Sequence, residues 1–449
     1  MTPSLNLPQL TPLVDTLFAE WDKPDSPGCT VAIICNGEVI YQKGFGMANL
    51  EYGIPNEPDT IYHVASISKQ FTAFAVQLLA SEGKLSLDDD VRKHLPELDD
   101  FGSCMTIRHL IHHTSGLRDQ WNLLGLAGWR SGDVITEEDI LKMVWRQREL
   151  NFELGTEMSY SNTGYTLLGL ITKRVSGLSL RQFCQERIFV PLGMAHTHFH
   201  DDNTEIVKGR AYSYASKSDG TFANSPLQFA NIGATSLFTT VNDLALWDQN
   251  FDTPTVGDAA LIAEMHKGGR LNDGSELDYA SGIIHGRYRG LRTVGHDGAD
   301  AGFRTAYRRF PDQRFTVIAF ANLGSFNANL IVNKVADLFL GDLMNSVVEG
   351  ASDAPMTPAE FHLGIDDHSG YVGDYYSDEL GVIYRISQSE DGLKMAFPKG
   401  VAMLQPVGED IFNAHPIGEM TFERQSEKIT GFRLDNGRVR RLLFEVWER

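Results

Sequence analysis

Two strand pairs, one near the start of the chain and one far along it, constrain the fold most. The first is CTVAIICNGEVIYQKGF, two apolar runs joined at Asn36-Gly37. Asn-Gly between such runs is a strong hairpin signal, because both residues tolerate the positive φ of a tight turn. The second is FRTAYRRF and RFTVIAFAN around Pro311-Asp312-Gln313. Between them the apolar spacing turns helical, predicting helices over 66–82, 106–113, 137–147, 163–175, 178–188 and 241–251. Further helices are expected over 10–21 and 325–340. This order fits an α+β fold: an antiparallel sheet whose two halves come from opposite ends of the region, with flanking helices and a helical subdomain beside it.

Composition shifts at SVVEGASDAPMTPAE, which is small, acidic and carries two prolines, as linkers do. Beyond it short strands recur with Gly and Asn-Gly turns, the pattern of a small antiparallel β-barrel. The expected domains are therefore 1–345, a linker over 346–360, and a barrel over 361–449.

The 449 residues are 42% hydrophobic, enough for a large core. A formal charge of −20 repels phosphate backbones and anionic lipid, so neither nucleic acid nor membrane is expected as a partner. The N-terminus lacks a basic segment followed by an apolar one, and no run is long enough to span a bilayer. Cys29, Cys35, Cys104 and Cys184 form no CxxC pair and read as small buried apolar residues in a reducing compartment. The expected location is the cytoplasm. No cofactor or metal is expected, and a homo-oligomer stays open.

Chemistry enters at VASISKQFTAFAVQLLA. Residues three apart on a helix are neighbours, so Ser66 and Lys69 meet while Ser68 and Lys69 do not. A serine needs a base and a site for the oxyanion. Burial depresses a lysine's pKa toward base function, and a helix's first turn offers unpaired N–H groups. Ser66 is thus the candidate nucleophile, Lys69 the base, and Ser68 a cap or bystander. SxxK alone occurs by chance about once in a chain this long. Indeed Ser81 to Lys84 is a second match, read as an exposed helix end.

Two further stretches give the first match company. Tyr160-Ser161-Asn162 stands at a loop-to-helix junction, where a phenol relays protons and an amide holds Lys69 and a substrate carbonyl. A core tyrosine followed by an Asn cap is the plainer alternative. His296-Asp297-Gly298 precedes a strand, where glycine lets backbone come close to a ligand.

With SISK, YSN and HDG in this order, the chain resembles the serine β-lactamase-like family of penicillin-recognising hydrolases. That family includes class C β-lactamases, DD-peptidases, D-aminopeptidases and family VIII-type carboxylesterases. TSGLRD and ERIFVPLGM agree with it, over roughly residues 10–343. The tail from Tyr371 resembles the lipocalin-like barrel of some D-aminopeptidase-like members. The resemblance implies that Ser66 forms an acyl-enzyme, Lys69 and Tyr160 share the proton work, and Asn162 orients. It implies that His296 lines the opposite wall, and that the N–H groups of Ser66 and Ala299, next to Gly298, hold the oxyanion. HDG places an imidazole where β-lactamases carry lysine, which binds a substrate carboxylate less well and lowers the expectation of β-lactam hydrolysis. D-aminopeptidase-like action on small amides or peptides is expected first, a carboxylesterase next, and a DD-peptidase, β-lactamase or non-catalytic penicillin-binding sensor after that. An aminopeptidase also needs an acid near the cleft for the substrate ammonium.

Rival readings attach to other residues. His196, His198 and His200, followed by Asp201 and Asp202, suggest a metal-binding strand face, but the histidine that would complete the pattern is Asn203, so a polar strand or loop is expected. His112-His113 is read as a helix end favoured by the dipole. Arg304 is expected to pair with a surface acid rather than reach the cleft. Gly44-Phe45-Gly46 lacks a third glycine and reads as a strand feature. Glu149-Leu150-Asn151 reads as ordinary helix-to-loop sequence.

Overall fold

The computed structural model describes residues 6–130, 132–346 and 369–448. The expected linker lies outside the described residues beyond Ser346, as do the first residues assigned to the barrel.

The strand pairs meet as expected. β1 (Cys29–Cys35) and β2 (Glu38–Phe45) form a hairpin through Asn36 and Gly37, both at positive φ. β3 (Ile284–Tyr288), β4 (Leu291–Asp300), β5 (Phe303–Phe310) and β6 (Phe315–Ala321) form a meander. The six-stranded sheet runs β3-β4-β5-β6-β1-β2. Its seam is the antiparallel β1–β6 pair, with Cys29 opposite Ala321 and Cys35 opposite Phe315.

Both central strands are buried along their whole length, since helices cover both faces. Alternation assigns each side chain to a face. Val31 and Ile33 pack with Val14 and Phe18 of α1 (Leu7–Phe18) and with Val335 of α5 (Ala328–Leu340). Ala32 and Ile34 face Phe71 and Phe74 of α2 (Ser68–Ser81), α3 (Asn162–Ser176) and Trp247 of α4 (Val241–Asp252). The helix expected over 178–188 is split: an α-turn over Leu180–Cys184 widens to a π-turn over Gln185–Phe189, then ends through Val190–Leu192 before Gly193 at positive φ.

The C-terminal unit has nine strands. β7 (Gly373–Ser377), β8 (Val382–Ser389), β9 (Gly392–Phe397), β10 (Gly400–Met403), β11 (Gln405–Gly408), β12 (Ile411–Ala414), β13 (Gly418–Gln425), β14 (Lys428–Asn436) and β15 (Val439–Val446) form one antiparallel sheet. The order β10-β9-β8-β7-β15-β14-β13-β12-β11 makes a nearly closed barrel around Tyr375, Phe422, Phe432 and Phe444. β10 and β11 are short and flank the single residue Leu404, so no turn signal separates them in the sequence.

The barrel docks on the first domain through Arg118, whose side chain is 1% exposed. Its guanidinium donates to Glu379 (2.8 Å), to the Glu149 carbonyl, and to the Arg440 and Arg441 carbonyls of β15. Burial pushes the Glu379 carboxyl up, and Arg118 offsets only part of that rise. Arg118→Ala is expected to destabilise the chain by about 3–5 kcal/mol, because it strands a buried carboxyl and three carbonyls. Urea denaturation with limited proteolysis at the interdomain segment checks this.

Candidate active site

The turn before α2 sets the site. α2 starts at Ser68, not at Ser66; Ser66 lies in a 3-10 turn, Ala65–Ile67. Ala65 is held at φ +47°, a conformation a side chain resists, so the surroundings must enforce it. Ser68 does so: its hydroxyl donates to the Ala65 carbonyl and accepts from Leu237 N–H at 2.9 Å. The bystander serine thus fastens the turn to the strand Leu237–Thr239.

Lys69 is fully buried. Its Nζ lies 3.1 Å from Ser66 Oγ, 2.8 Å from Asn162 Oδ1 and 2.7 Å from the Ala234 carbonyl. Burial lowers its pKa to about 7 against the pull of Asp300 and Asp119, and Arg438 lowers it further. Asn162 is the first residue of α3, and its Nδ2 and N–H both donate to Asp119 Oδ2 (2.7 and 2.8 Å). That fixes the amide so that its oxygen faces the amine. Asp119 in turn caps the short helix Gln120–Leu126 by accepting from Trp121 N–H.

Tyr160 packs its ring under the ammonium, 4.8 Å from Nζ to centroid. Burial pushes its phenol far above the usual tyrosine range. Ser66 is close enough to offset part of that rise, yet the two hydroxyls form no hydrogen bond of good geometry. His113 supports the ring from behind, at 4.3 Å between centroids, and its Nδ1 accepts from Ser161 N–H. The helix Ile107–Ile111 ends at His112 as expected, and His113, just past it, is buried at φ +59°, where burial keeps it neutral.

His296 sits on β4 and is buried. Nδ1 donates to its neighbour's carbonyl, Asp297 O (2.6 Å), leaving Nε2 to accept from Tyr279 OH (3.2 Å). Burial and the Lys69 charge lower its pKa to about 3, so it carries no charge near neutrality. Gly298 brings β4 against the turn that carries Ser66. A Cβ there would lie 2.3 Å from Thr305 Oγ1, 2.4 Å from the Val64 carbonyl and 3.0 Å from Ala65 Cβ. The next residue, Ala299, pairs with Arg304 across β4 and β5. Gly298→Ala is expected to cut turnover about 10²-fold, because a Cβ there must displace the turn that carries Ser66. Steady-state kinetics on an ester substrate check it.

An apolar hollow of about 500 Å³ adjoins this point. Trp121, Leu124, Trp129 and Phe229 line it together with Asp300 and the cationic Arg130 and Lys399. Asp300 is held by His63 Nε2 (2.9 Å) and by the Thr235 hydroxyl.

The remaining candidates fall elsewhere. Arg304 pairs with no acid among the described residues; it donates to the Ala301 and Phe303 carbonyls. His198 and His200 come within 4.8 Å of Glu205, while His196 stands apart. Arg181 already holds both Glu205 oxygens (2.6 and 2.8 Å), so the carboxylate that would complete a metal site is engaged by a cation. Glu149 and Asn151 are barrel contacts: Glu149 pairs with Arg433, and Asn151 bonds Arg438 O and Arg440 N–H. Cys104 is exposed, the other three cysteines are buried, and all four are unpaired. Ser81 to Lys84 is exposed, as expected of a helix end. No helix among the described residues is long and apolar enough to cross a membrane.

Comparison with known proteins defines the class first: this is a serine hydrolase with the β-lactamase and penicillin-binding-protein fold. The chain belongs to the beta-lactamase family, whose model matches residues 14–341. It is 30% identical to Penicillin-binding protein 4* of Bacillus subtilis over 69% of this chain and 71% of that one. It is 26% identical to a D-aminopeptidase of Brucella anthropi over 85% and 69%. Among solved structures, an octameric penicillin-binding protein homologue from Pyrococcus abyssi superposes over 99% of this chain and all of its own, with a TM-score of 0.66 at 22% identity.

Proposed function

We propose that Ser66 forms an acyl-enzyme with small amide or peptide substrates, and that Lys69 and Tyr160 move the protons. The observation that carries this is Lys69 Nζ, buried and 3.1 Å from Ser66 Oγ with Asn162 aligning it. With its pKa near 7, about half the lysine is neutral at physiological pH and can take the Ser66 proton. Tyr160 stays protonated, which suits it to donate to the leaving group and refill from Lys69. The oxyanion rests between the Ser66 and Ala299 N–H groups. Collapse breaks the scissile bond, and water then releases the acyl group by the same proton path reversed. His296, being neutral, lines the far wall without adding charge.

Peptides or amides with an N-terminal D-residue stand first. The D-aminopeptidase relative supports this, and Asp300 in the lining of the apolar hollow is the acid such a substrate needs. A carboxylesterase is the second reading, favoured by the apolar lining of that hollow. The four unpaired cysteines support a place in the cytoplasm. A closed oligomer, as in the octameric homologue, belongs to the same proposal.

The test compares D-alanine p-nitroanilide, L-alanine p-nitroanilide and p-nitrophenyl butyrate. Release from the D-anilide well above the L-anilide is expected. Release from the ester alone would shift the assignment to a carboxylesterase. No release from any would reopen the choice of substrate and favour the non-catalytic penicillin-binding reading.

A further inference from the structure

The loop that delivers Tyr160 is laid along the residues just past the short helix Ile107–Ile111. Gly155 N–H donates to the Thr114 carbonyl and Ser159 N–H to the His113 carbonyl, both at 2.9 Å. Ser161 N–H donates to His113 Nδ1 at 3.1 Å. The residues on either side of Tyr160 are thus held by one residue, His113, through its carbonyl and its ring nitrogen. Between these two bonds the imidazole packs on the Tyr160 ring, at 4.3 Å between centroids.

Little else fixes the direction of that phenol. Its hydroxyl makes no hydrogen bond of good geometry among the described residues. The rings of Tyr279 and His296 stand farther off, at 6.0 and 6.1 Å. Lys69 and Arg438 touch the ring at 4.8 and 4.7 Å, but a cation over a ring face does not aim the hydroxyl. The choice of an imidazole at position 113 is informative. Nδ1 accepts only when the ring is neutral and carries its proton on Nε2. Burial, together with the Lys69 charge, keeps the ring neutral. Nε2 is then a buried donor with no partner among the described residues. A phenyl ring would fill the same space without that stranded donor, so packing alone does not account for histidine here. The backbone of His113 is also held at φ +59°, a strain that persists only where the surroundings enforce it.

From this we infer that His113 is a positioning residue for the leaving-group proton: its carbonyl and Nδ1 clamp Ser159 and Ser161 so that the Tyr160 hydroxyl is aimed at the departing atom. The inference rests on the Ser66 acyl-enzyme reading above. In that step the bond from the acyl carbon to the leaving atom breaks, and the leaving atom takes the Tyr160 proton. Lys69 returns a proton to the phenolate oxygen, and the acyl group stays on Ser66 Oγ. An amine cannot leave without that proton, whereas p-nitrophenolate departs as the anion. The clamp therefore matters for the first kind of substrate and hardly for the second.

The test reads kcat/KM of the full chain on D-alanine p-nitroanilide and on p-nitrophenyl butyrate. Where only esters are cleaved, ethyl butyrate, whose alkoxide also needs a proton to leave, replaces the anilide. His113→Phe keeps a ring and removes the acceptor. It is expected to lower the anilide value about 10²-fold, the loss that a misplacement of about 1 Å brings. The p-nitrophenyl ester value should fall about threefold at most, since its leaving group needs no general acid. His113→Asn tolerates the positive φ and puts an amide oxygen where Nδ1 stood. It should keep the ratio of the two substrates within about threefold of the unaltered chain. His113→Gly, which accepts the positive φ and offers no side-chain acceptor, stands in where His113→Phe does not fold. Labelling of Ser66 by a fluorophosphonate shows in each variant that the nucleophile is intact. Equal losses on both substrates in His113→Phe overturn the inference, as does an unchanged ratio. So does a ratio lost as fully in His113→Asn as in His113→Phe, or labelling of the unaltered chain with turnover of none of the substrates. If the fluorophosphonate fails to label Ser66 in the unaltered chain, the acyl-enzyme reading falls and takes this one with it. Turnover that depends on Ser66 but not on the leaving group removes the role of His113 alone.

Discussion

Lys69→Met is expected to lower kcat/KM about 10³–10⁴-fold and at the same time to stabilise the fold. The loss is that of a general base removed with little change of shape. The gain follows from linkage. Lys69 is fully buried and its pKa falls from 10.5 to about 7 on folding. Between those values the unfolded chain binds more protons, so this group makes stability rise with pH. Below about pH 7 its full cost is present, about 5 kcal/mol at 1.36 kcal/mol per pH unit. Methionine removes that cost but leaves Asn162 Oδ1 and the Ala234 carbonyl without a donor. The two effects offset, and a net gain of about 1–3 kcal/mol at pH 6 is expected. It should shrink toward pH 10. Chemical denaturation of both proteins at several pH values checks the sign. In the unaltered chain, kcat/KM for a neutral ester should rise with pH through about 7, as the lysine loses its proton.

Ser66→Ala is expected to lose about 10⁴–10⁶-fold in kcat, the range seen when a nucleophile is removed from a preorganised site. Alanine fits the turn, whose geometry is fixed by Ser68 and Ala65 rather than by the Ser66 hydroxyl. Unfolding should therefore be nearly unchanged. The double variant Ser66→Ala/Lys69→Met should be no slower than Ser66→Ala, because the base has nothing left to activate. Multiplied losses in the double variant would mean that the two residues act separately. A kinetic double-mutant cycle on p-nitrophenyl butyrate distinguishes the outcomes.

Much of the fold is local in its causes and was legible for that reason. The Asn36-Gly37 turn, the fully apolar β1 and β6, and the helix that begins near Ser66 all announce themselves in short stretches. Ser66, Lys69, Tyr160, Asn162 and His296 could be picked out because each lies in a short motif. What escaped depends on contacts across the chain. Asp119 stands in the quoted TSGLRD, yet only the fold shows it gripping Asn162, forty-three positions on. His112-His113 was legible as a helix end, but the positive φ that turns His113 inward against Tyr160 was not. Glu149 and Asn151 looked like plain loop because their partners, Arg433 and Arg438, lie in another domain.

The most direct test of the central claim is to trap the acyl-enzyme. Protein mixed with excess p-nitrophenyl butyrate and quenched in acid within milliseconds to seconds is digested, and the butyrylated peptide is identified by mass. A single butyryl group on Ser66, absent from Ser66→Ala, is the expected result. A butyryl group on another residue, or turnover as fast in Ser66→Ala as in the unaltered chain, would contradict it.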